Sequence, residues 1–417
     1  MDTSTAGSGE DATTPAGSPT GAVPAPAPRP LAIVGECPWP ARNGITAKTS
    51  SLLEAWEVPP LVLCPEHPFG PRELHHAAAL GPTRRGRIAR VASIASAALR
   101  RGWVIQPGLE RARVVTELRA ILDGHRPHFV HFDTVATEHL VAPVASVLAE
   151  RGIRIPLVLS INDSISELMR TRPRYTGLLG RLDVRMMRTA ERRAYPLADA
   201  IDVVTPGDVA SVHAVAPTAH VRMLPLGSNT QALAANELLV ERPIDVLLFA
   251  TAGDWPLLLD ELVPALRKLA PDTSVAAVGT AGIDAEVASN LDRLGVARLG
   301  FVNDLGATLR QARVVVAPSQ QLSGTPNKAR DALENGAAVV GGVCLHGLAG
   351  FRDREHGLVA DSGAAMAHAA HELLSDEEHR ARLARQGHAL VSQLPDWSTI
   401  ARRYVDELPA VGGTFRG

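Results

Sequence analysis

Lysine is nearly missing from this chain: of its 42 basic residues only three, Lys48, Lys268 and Lys328, are lysines. Where a positive charge alone is needed, a GC-rich coding genome drifts toward arginine, so a retained lysine hints at a particular task. Cysteine is as scarce. Cys37, Cys64 and Cys344 stand far apart with no C-x-x-C spacing, which argues against structural zinc and fits buried small side chains in a reducing compartment. No apolar run approaches the ~20 residues that would span a bilayer. An excess of either charge is missing too: 42 basic residues face 44 acidic ones, for a net charge of −2. No global positive field is available to gather nucleic acid, so none is expected as a partner.

What is present reads as a two-domain α/β protein, since 417 residues exceed what one core usually organises. Residues 1–30 are almost entirely Ala, Pro, Gly, Ser and Thr and read as a disordered tail. The tail has neither the basic start nor the apolar stretch of a secretory signal, which makes the expected location cytoplasmic. From residue 31, short apolar runs alternate with helical segments: LAIVGE at 31–36, PLVLC at 60–64, HFVHF at 128–132, IPLVLSI at 155–161, AIDVVT at 200–205 and VRMLPL at 221–226. Runs buried on both faces between helices predict a parallel sheet with helices on either side. Residues 229–243 lack such a run and read as a linker between a first domain, 31–228, and a second, 244–396. The second repeats the layout, with runs at 244–250, 273–279, 296–302, 313–319, 337–343 and 356–361, and a last helix and tail occupy 397–417. Ligands of such sheets bind beyond the carboxyl ends of the strands, here in a cleft between the domains.

Lys328 lies where that cleft is expected. The strand RVVVAPS leads through QQLSG into the helix TPNKARDALENG, with Pro326 near the first turn and Gly336 at a plausible C′ position. A helix start brings free backbone N–H groups and a positive dipole end, both suited to phosphate. Lys328 in the first turn adds an ammonium, and Asp331, three residues on, adds a carboxylate for sugar hydroxyls. The competing possibility is that the two form an ordinary exposed i,i+3 pair.

The segment GFVNDLGATLRQARVVVAPSQQLSGTPNKARDALENGAAVV resembles the GT-B glycosyltransferases of retaining family 4 (glycosyl transferases group 1), as does the G-L-V-x-D stretch after it. The motifs are specific over about 296–385, and the layout extends over 31–410. FATAGDWPLLLDELVPAL and N-K-x-x-[DE]-A at 327–332 are more narrowly similar to sugar transferases of exosortase-associated exopolysaccharide systems. The resemblance implies two tandem Rossmann-like domains and transfer of a hexosyl group from a nucleoside-diphosphate sugar to an acceptor hydroxyl, with retention and without a metal or other cofactor. It implies donor-binding roles for Gly324, Thr325, Asn327 and Lys328 at the diphosphate and for Asp331 at the ribose. Ser323 stands where the family carries a second glutamate for the donor sugar. Asn162 and Asp163 stand where it often has a histidine, so Asp163 is a candidate for a sugar or acceptor hydroxyl, with a turn or N-cap role as the alternative. The Arg and Lys pair that often follows the first strand of the second domain is missing, which leaves Lys328 as the main cation, assisted by Arg330 or a first-domain residue.

On the opposite wall, Asn43 and Gly44 enter a helix where the family has a glycine loop close to donor and acceptor, and Gly44 permits close backbone approach. His131 ends an apolar strand and is expected either to face the cleft or to sit satisfied in the core. His75, His76 and the histidines of 368–388 show no metal-ligand spacing. The arginine-flanked stretch 84–103 reads as an amphipathic helix on the first sheet or as a peripheral contact with an anionic membrane surface. The rival to an enzyme is a degenerate glycosyltransferase that binds a nucleotide sugar or a partner enzyme and transfers nothing.

Overall fold

The computed structural model describes residues 29–35, 44–65, 78–79, 109, 111–133, 137–161, 166, 177–228, 242–250, 253–280, 283–319 and 326–409. Two parallel sheets organise them. The first contains β1 (Leu31–Val34), β2 (Leu61–Cys64), β3 (Ala78–Ala79), β4 (Val130–Asp133), β5 (Leu157–Ser160), β6 (Ala200–Val203) and β7 (Val221–Met223), in the order β3-β2-β1-β4-β5-β6-β7. The second contains β8 (Ile244–Phe249), β9 (Val275–Val278), β10 (Val296–Arg298), β11 (Ala312–Ala317), β12 (Ala338–Gly341) and β13 (Leu358–Val359), in the order β10-β9-β8-β11-β12-β13. Every expected apolar run is a strand. β3 is an addition that two alanines could not announce.

Each sheet reverses its winding once, between β1 and β4 in the first and between β8 and β11 in the second. At such a switch point the loops leaving the two central strands part, and a crevice opens beyond their carboxyl ends. The core is double-sided in both domains, because strands such as β1 and β4 in the first and β9 and β12 in the second are buried along their whole length. One face of the first sheet is covered by α1 (Gly44–Ala55), and the other by α2 (Arg111–Gly124), α3 (Glu138–Glu150) and α4 (Leu178–Ala194). A short helix α5 (Pro206–Val215) follows β6, started by a capping box between Thr205 and Asp208.

In the second domain, Asp254 precedes a π-helical turn, Leu257–Leu262, that runs into α6 (Val263–Leu269). α7 (Ala285–Arg293) and α8 (Leu305–Arg310) follow, and then α9 (Asn327–Glu334), the Lys328 helix. α9 ends as its sequence predicts. Gly336 has φ +67°, Ala337 N–H donates to the Ala332 carbonyl at 3.1 Å and Gly336 N–H to the Leu333 carbonyl at 3.0 Å, which is a Schellman termination. Its inner face is fixed by Ala329, Ala332 and Leu333 in the core. α11 (Glu377–Val391) packs over α9, so closely that a Cβ on Gly387 would lie 2.4 Å from Leu333. α10 (Gly363–Ser375) lines the opposite face of the sheet.

The chain then crosses back. α12 (Trp397–Asp406), expected as a closing segment, belongs to the core of the first domain, where Trp397, Ile400, Ala401 and Tyr404 pack with Leu52, Leu53 and Trp56 of α1. The two crossings run side by side, with Ser228 N–H donating to the Pro395 carbonyl at 2.8 Å and Gly227 pressed against the Trp397 ring.

Candidate active site

Two charged side chains of the second domain, Lys328 and Asp254, meet at the β8–β11 switch point. Lys328 projects from the first turn of α9 and its Nζ lies 2.6 Å from Oδ2 of Asp254, in the turn after β8. The two side chains are 21% and 14% exposed, so the pair is neither sealed in the core nor loose on the surface. Cys344, in the 3-10 turn after β12, is adjacent through a hydrogen bond with Ser319, and burial pushes its thiol up to about 11. A thiol held protonated is no nucleophile at neutral pH. Cys64 and Cys344 are buried, as expected, and Cys37 lies outside the described residues.

Lys328 therefore bonds across the crevice to Asp254 rather than serving only in an i,i+3 pair on its own helix. Asp331 has a different partner, with Arg330 Nη2 at 3.4 Å from its Oδ1. Burial raises the Asp331 carboxyl to about 6, with the Arg330 charge opposing the rise and Glu334 adding to it. A carboxyl in that range exchanges its proton near neutral pH and can accept or donate to a hydroxyl. Arg330, expected to assist Lys328, turns away. It is buried, donates to the Gly227 carbonyl at 3.3 Å and sits 3.5 Å from Glu334, which in turn accepts from the Ser228 hydroxyl at 2.8 Å. Its role is to tie α9 to the domain crossing. Asn327 opens the helix, and its buried Oδ1 has no hydrogen-bond donor among the described residues. From the linker side, Arg242 donates to the carbonyls of Gly336 and Ala312, each at 2.8 Å, and holds the far end of α9.

The first domain has its own charged cluster at the β1–β4 switch point, and sheet geometry explains it. Alternation along β4, β5 and β6 points His131, Asp133, Ser160 and Asp202 to the face covered by α1 and α12. Lys48 of α1 donates to Ser160 Oγ at 2.9 Å and lies 4.0 Å from Asp133, whose other oxygen accepts from Thr49 at 2.7 Å. Burial alone would raise the Asp133 carboxyl; the Lys48 charge and the bonds from His131 and Thr49 outweigh it and hold the group below its usual range. Arg222 grips Asp202 with two bonds of 2.6 and 2.8 Å and stacks over Tyr404. Beside Lys48, Ser160 and Asp202 is a cavity of about 20 Å³, room for about one water molecule and none for a sugar.

Of the two readings of His131, the core one holds and the cleft-facing one is set aside. It is fully buried, its Nδ1 2.7 Å from the Tyr404 hydroxyl and its ring edge-on to Trp56, and it takes no part in the cleft. α12 roofs it, and nothing near His131 in the sequence could announce a helix beginning at Trp397. Gly44 is the first residue of α1, as expected for a loop entering a helix. Asn43, Asn162, Asp163, Ser323, Gly324, Thr325 and the stretch 84–103 lie outside the described residues. Among the described residues no three His, Cys, Asp or Glu side chains are grouped to hold a metal ion, and no helix is long and apolar enough to cross a membrane. Sequence reasoning missed Asp254. The signal was the tetrapeptide GDWP after the first strand of the domain, at the position where the family's basic pair is missing.

Comparison with known proteins agrees with this architecture. Residues 250–376, which contain Asp254, Lys328 and Asp331, match the family model described as glycosyl transferases group 1. No curated protein matches the chain. Among solved structures it is similar to sucrose-phosphate synthase from Thermosynechococcus elongatus, with a TM-score of 0.66 and 17% identity over 91% of this chain and 98% of that one. It is also similar to Anabaena HepE in complex with UDP and glucose, with a TM-score of 0.62 and 15% identity over 91% and 98% of the two chains. A further HepE structure, in complex with UDP-glucose, gives 0.63 and 14% over 91% and 99%. The two parallel-sheet domains with α12 returning to the first are a GT-B fold, and with the glycosyl transferases group 1 match across its second domain the chain is a glycosyltransferase of that architecture.

Proposed function

We propose that the protein transfers a hexosyl group from a nucleoside-diphosphate sugar, with UDP-sugars first among the donors, to an acceptor hydroxyl with retention at the anomeric carbon. The observation that carries this reading is the Lys328 ammonium at the switch point of the second sheet, on the first turn of a helix rigidly seated in the core. In the reaction, charge develops on the leaving diphosphate. A preorganised cation and backbone N–H groups at a helix start stabilise that charge more than they stabilise the ground state. Asp331, one turn further, meets the ribose hydroxyls. Closure of the two domains about the paired crossings at 227–228 and 395–397 excludes water, so that the acceptor attacks in its place. The UDP and UDP-glucose seen in HepE support UDP as the first nucleotide to try. A role in polysaccharide or glycosylated natural-product synthesis, and contact with the inner face of a membrane where the acceptor is lipid-linked, belong to the same proposal; sedimentation with anionic vesicles tests the latter.

The test is a thermal-shift panel of UDP, GDP, dTDP and ADP with their sugars, on wild type and on Lys328→Ala. A ligand specific for the folded state adds about 2.7 kcal/mol at a hundredfold excess over Kd. Stabilisation of the wild type by one nucleotide class and its loss in the variant is the expected result. No stabilisation by any of them contradicts the reading, and binding without transfer to any acceptor makes the protein a nucleotide-sugar-binding subunit.

A further inference from the structure

The ion pair that holds Lys328 is not explained by stability alone. Asp254 reaches it from the opposite side of the switch point, across 74 residues of sequence, and its own backbone is anchored by the helical turn that follows it. The Leu258 N–H donates to its carbonyl at 3.2 Å, and the next residue, Trp255, is buried in the core at 3% exposure. A long lysine side chain at a cleft samples many rotamers, and each must be given up when a ligand is met. Here the ammonium is already fixed. An ammonium has three N–H donors, so a phosphate oxygen can be met without displacing the carboxylate.

We propose that Asp254 is a positioning residue for Lys328. It holds Nζ over the crevice where the leaving diphosphate accumulates charge, and it occupies the loop from which the usual basic pair is missing. The inference rests on the proposed nucleotide-sugar reading of this site. It has a distinctive consequence, because Asp254→Asn removes a negative charge beside the bound diphosphate and loosens the hold on the lysine at once. Lost repulsion tightens ground-state binding, while lost positioning slows the chemical step. The expected signature is a kcat about tenfold lower with a KM for the donor unchanged or lower, the pattern of an interaction realised in the transition state.

The experiment uses the full chain and the scarcity of lysine. Reductive methylation with ¹³C-formaldehyde labels three lysines and the N-terminal amine, and the Lys328 signals are assigned by their loss in Lys328→Arg. Two resolved N-methyl signals for Lys328, merging into one in Asp254→Asn, show the held ammonium independently of activity. Kinetics with UDP-glucose follow on wild type, Asp254→Asn, Lys328→Ala and the double variant. In the Lys328→Ala background, Asp254→Asn is expected to change kcat by less than about twofold. Losses that multiply in the double variant, or wild-type kcat in Asp254→Asn with only a lower melting temperature, overturn the positioning role. A wild type that binds and transfers no nucleotide sugar defeats the functional reading itself and the role with it, and the methyl signals then show whether the ion pair exists without that reaction.

Discussion

Two of the chain's three lysines occupy corresponding places in its two halves. Lys48 and Lys328 each stand at the switch point of a parallel sheet, and each faces an aspartate delivered by the other central strand of that switch point. The polarity is reversed: in the first domain the lysine follows β1 and Asp133 ends β4, while in the second Asp254 follows β8 and the lysine follows β11. The surroundings differ more. The side chains of Lys48 and Asp133 are 8% and 0% exposed and roofed by α12, whereas Lys328 and Asp254 keep 21% and 14%. The same slot in the fold is thus used twice. Burial turned one pair into a fixture of the core, and the crevice left the other within reach of a ligand.

That contrast is open to attack from both sides. The largest effect is expected at Lys48. Lys48→Met leaves Asp133 charged and buried with the Thr49 hydroxyl as its nearest compensation, and breaking a buried pair in this way costs about 3–5 kcal/mol. Chemical denaturation should show that loss. Lys328→Ala reverses the pattern, with a melting temperature near that of wild type and a kcat lowered by about 10²–10³ in a transfer assay, the magnitude of a missing charge-stabilising donor. If both variants lose stability alone, the distinction between the two pairs is wrong.

Smaller is the cost of Gly227→Ala. A Cβ there would lie 2.5 Å from the Trp397 ring, and overpacking of this kind costs about 1–3 kcal/mol. Since Gly227 and Trp397 are the two crossings, differential scanning calorimetry should show a lowered transition.

The smallest effect concerns pH. Burial, with Glu334 adding to it, keeps the proton on Asp331 up to about 6, against 3.8 for an ordinary aspartate. The folded state binds this proton more tightly than the unfolded chain does, so the group's contribution to stability declines as pH rises from 3.8 to about 6. A ribose that prefers the carboxylate binds progressively better over the same interval. The affinity for UDP-glucose, whose phosphates have no proton to lose there, should therefore rise severalfold between about pH 5 and 7. Asp331→Asn should flatten the curve, and a wild-type curve already flat would remove Asp331 from the nucleotide subsite.

Most of the fold was legible because its strands are buried on both faces. LAIV, LVLC and VVVA are unbroken apolar runs, and Gly336 marks the end of α9 by the one backbone conformation it supplies cheaply. The site was legible as far as local spacing extends: strand, loop, helix start and Lys328 follow one another in the chain. Beyond that range the sequence was silent. Nothing in the neighbourhood of Lys328 names Asp254, and the nearer Asp331 drew the attention that spacing rules allow. Arg330 misled, and His131 stayed open between cleft and core, for the same reason, since both are claimed by partners that only the folded crossing brings near, Gly227 with Glu334 for one and Tyr404 for the other. Long-range closure is what a one-dimensional pattern lacks.

The accessible pair, and not the buried one, is the one that must face the ligand. Isothermal titration of the wild-type protein and Lys328→Ala with UDP tests this most directly. Saturable binding by the wild type that weakens at least tenfold in the variant, with the variant's fold intact by circular dichroism, is the predicted result. Equal affinities in the two proteins would place the nucleotide elsewhere and contradict the assignment of the second switch point as the donor site.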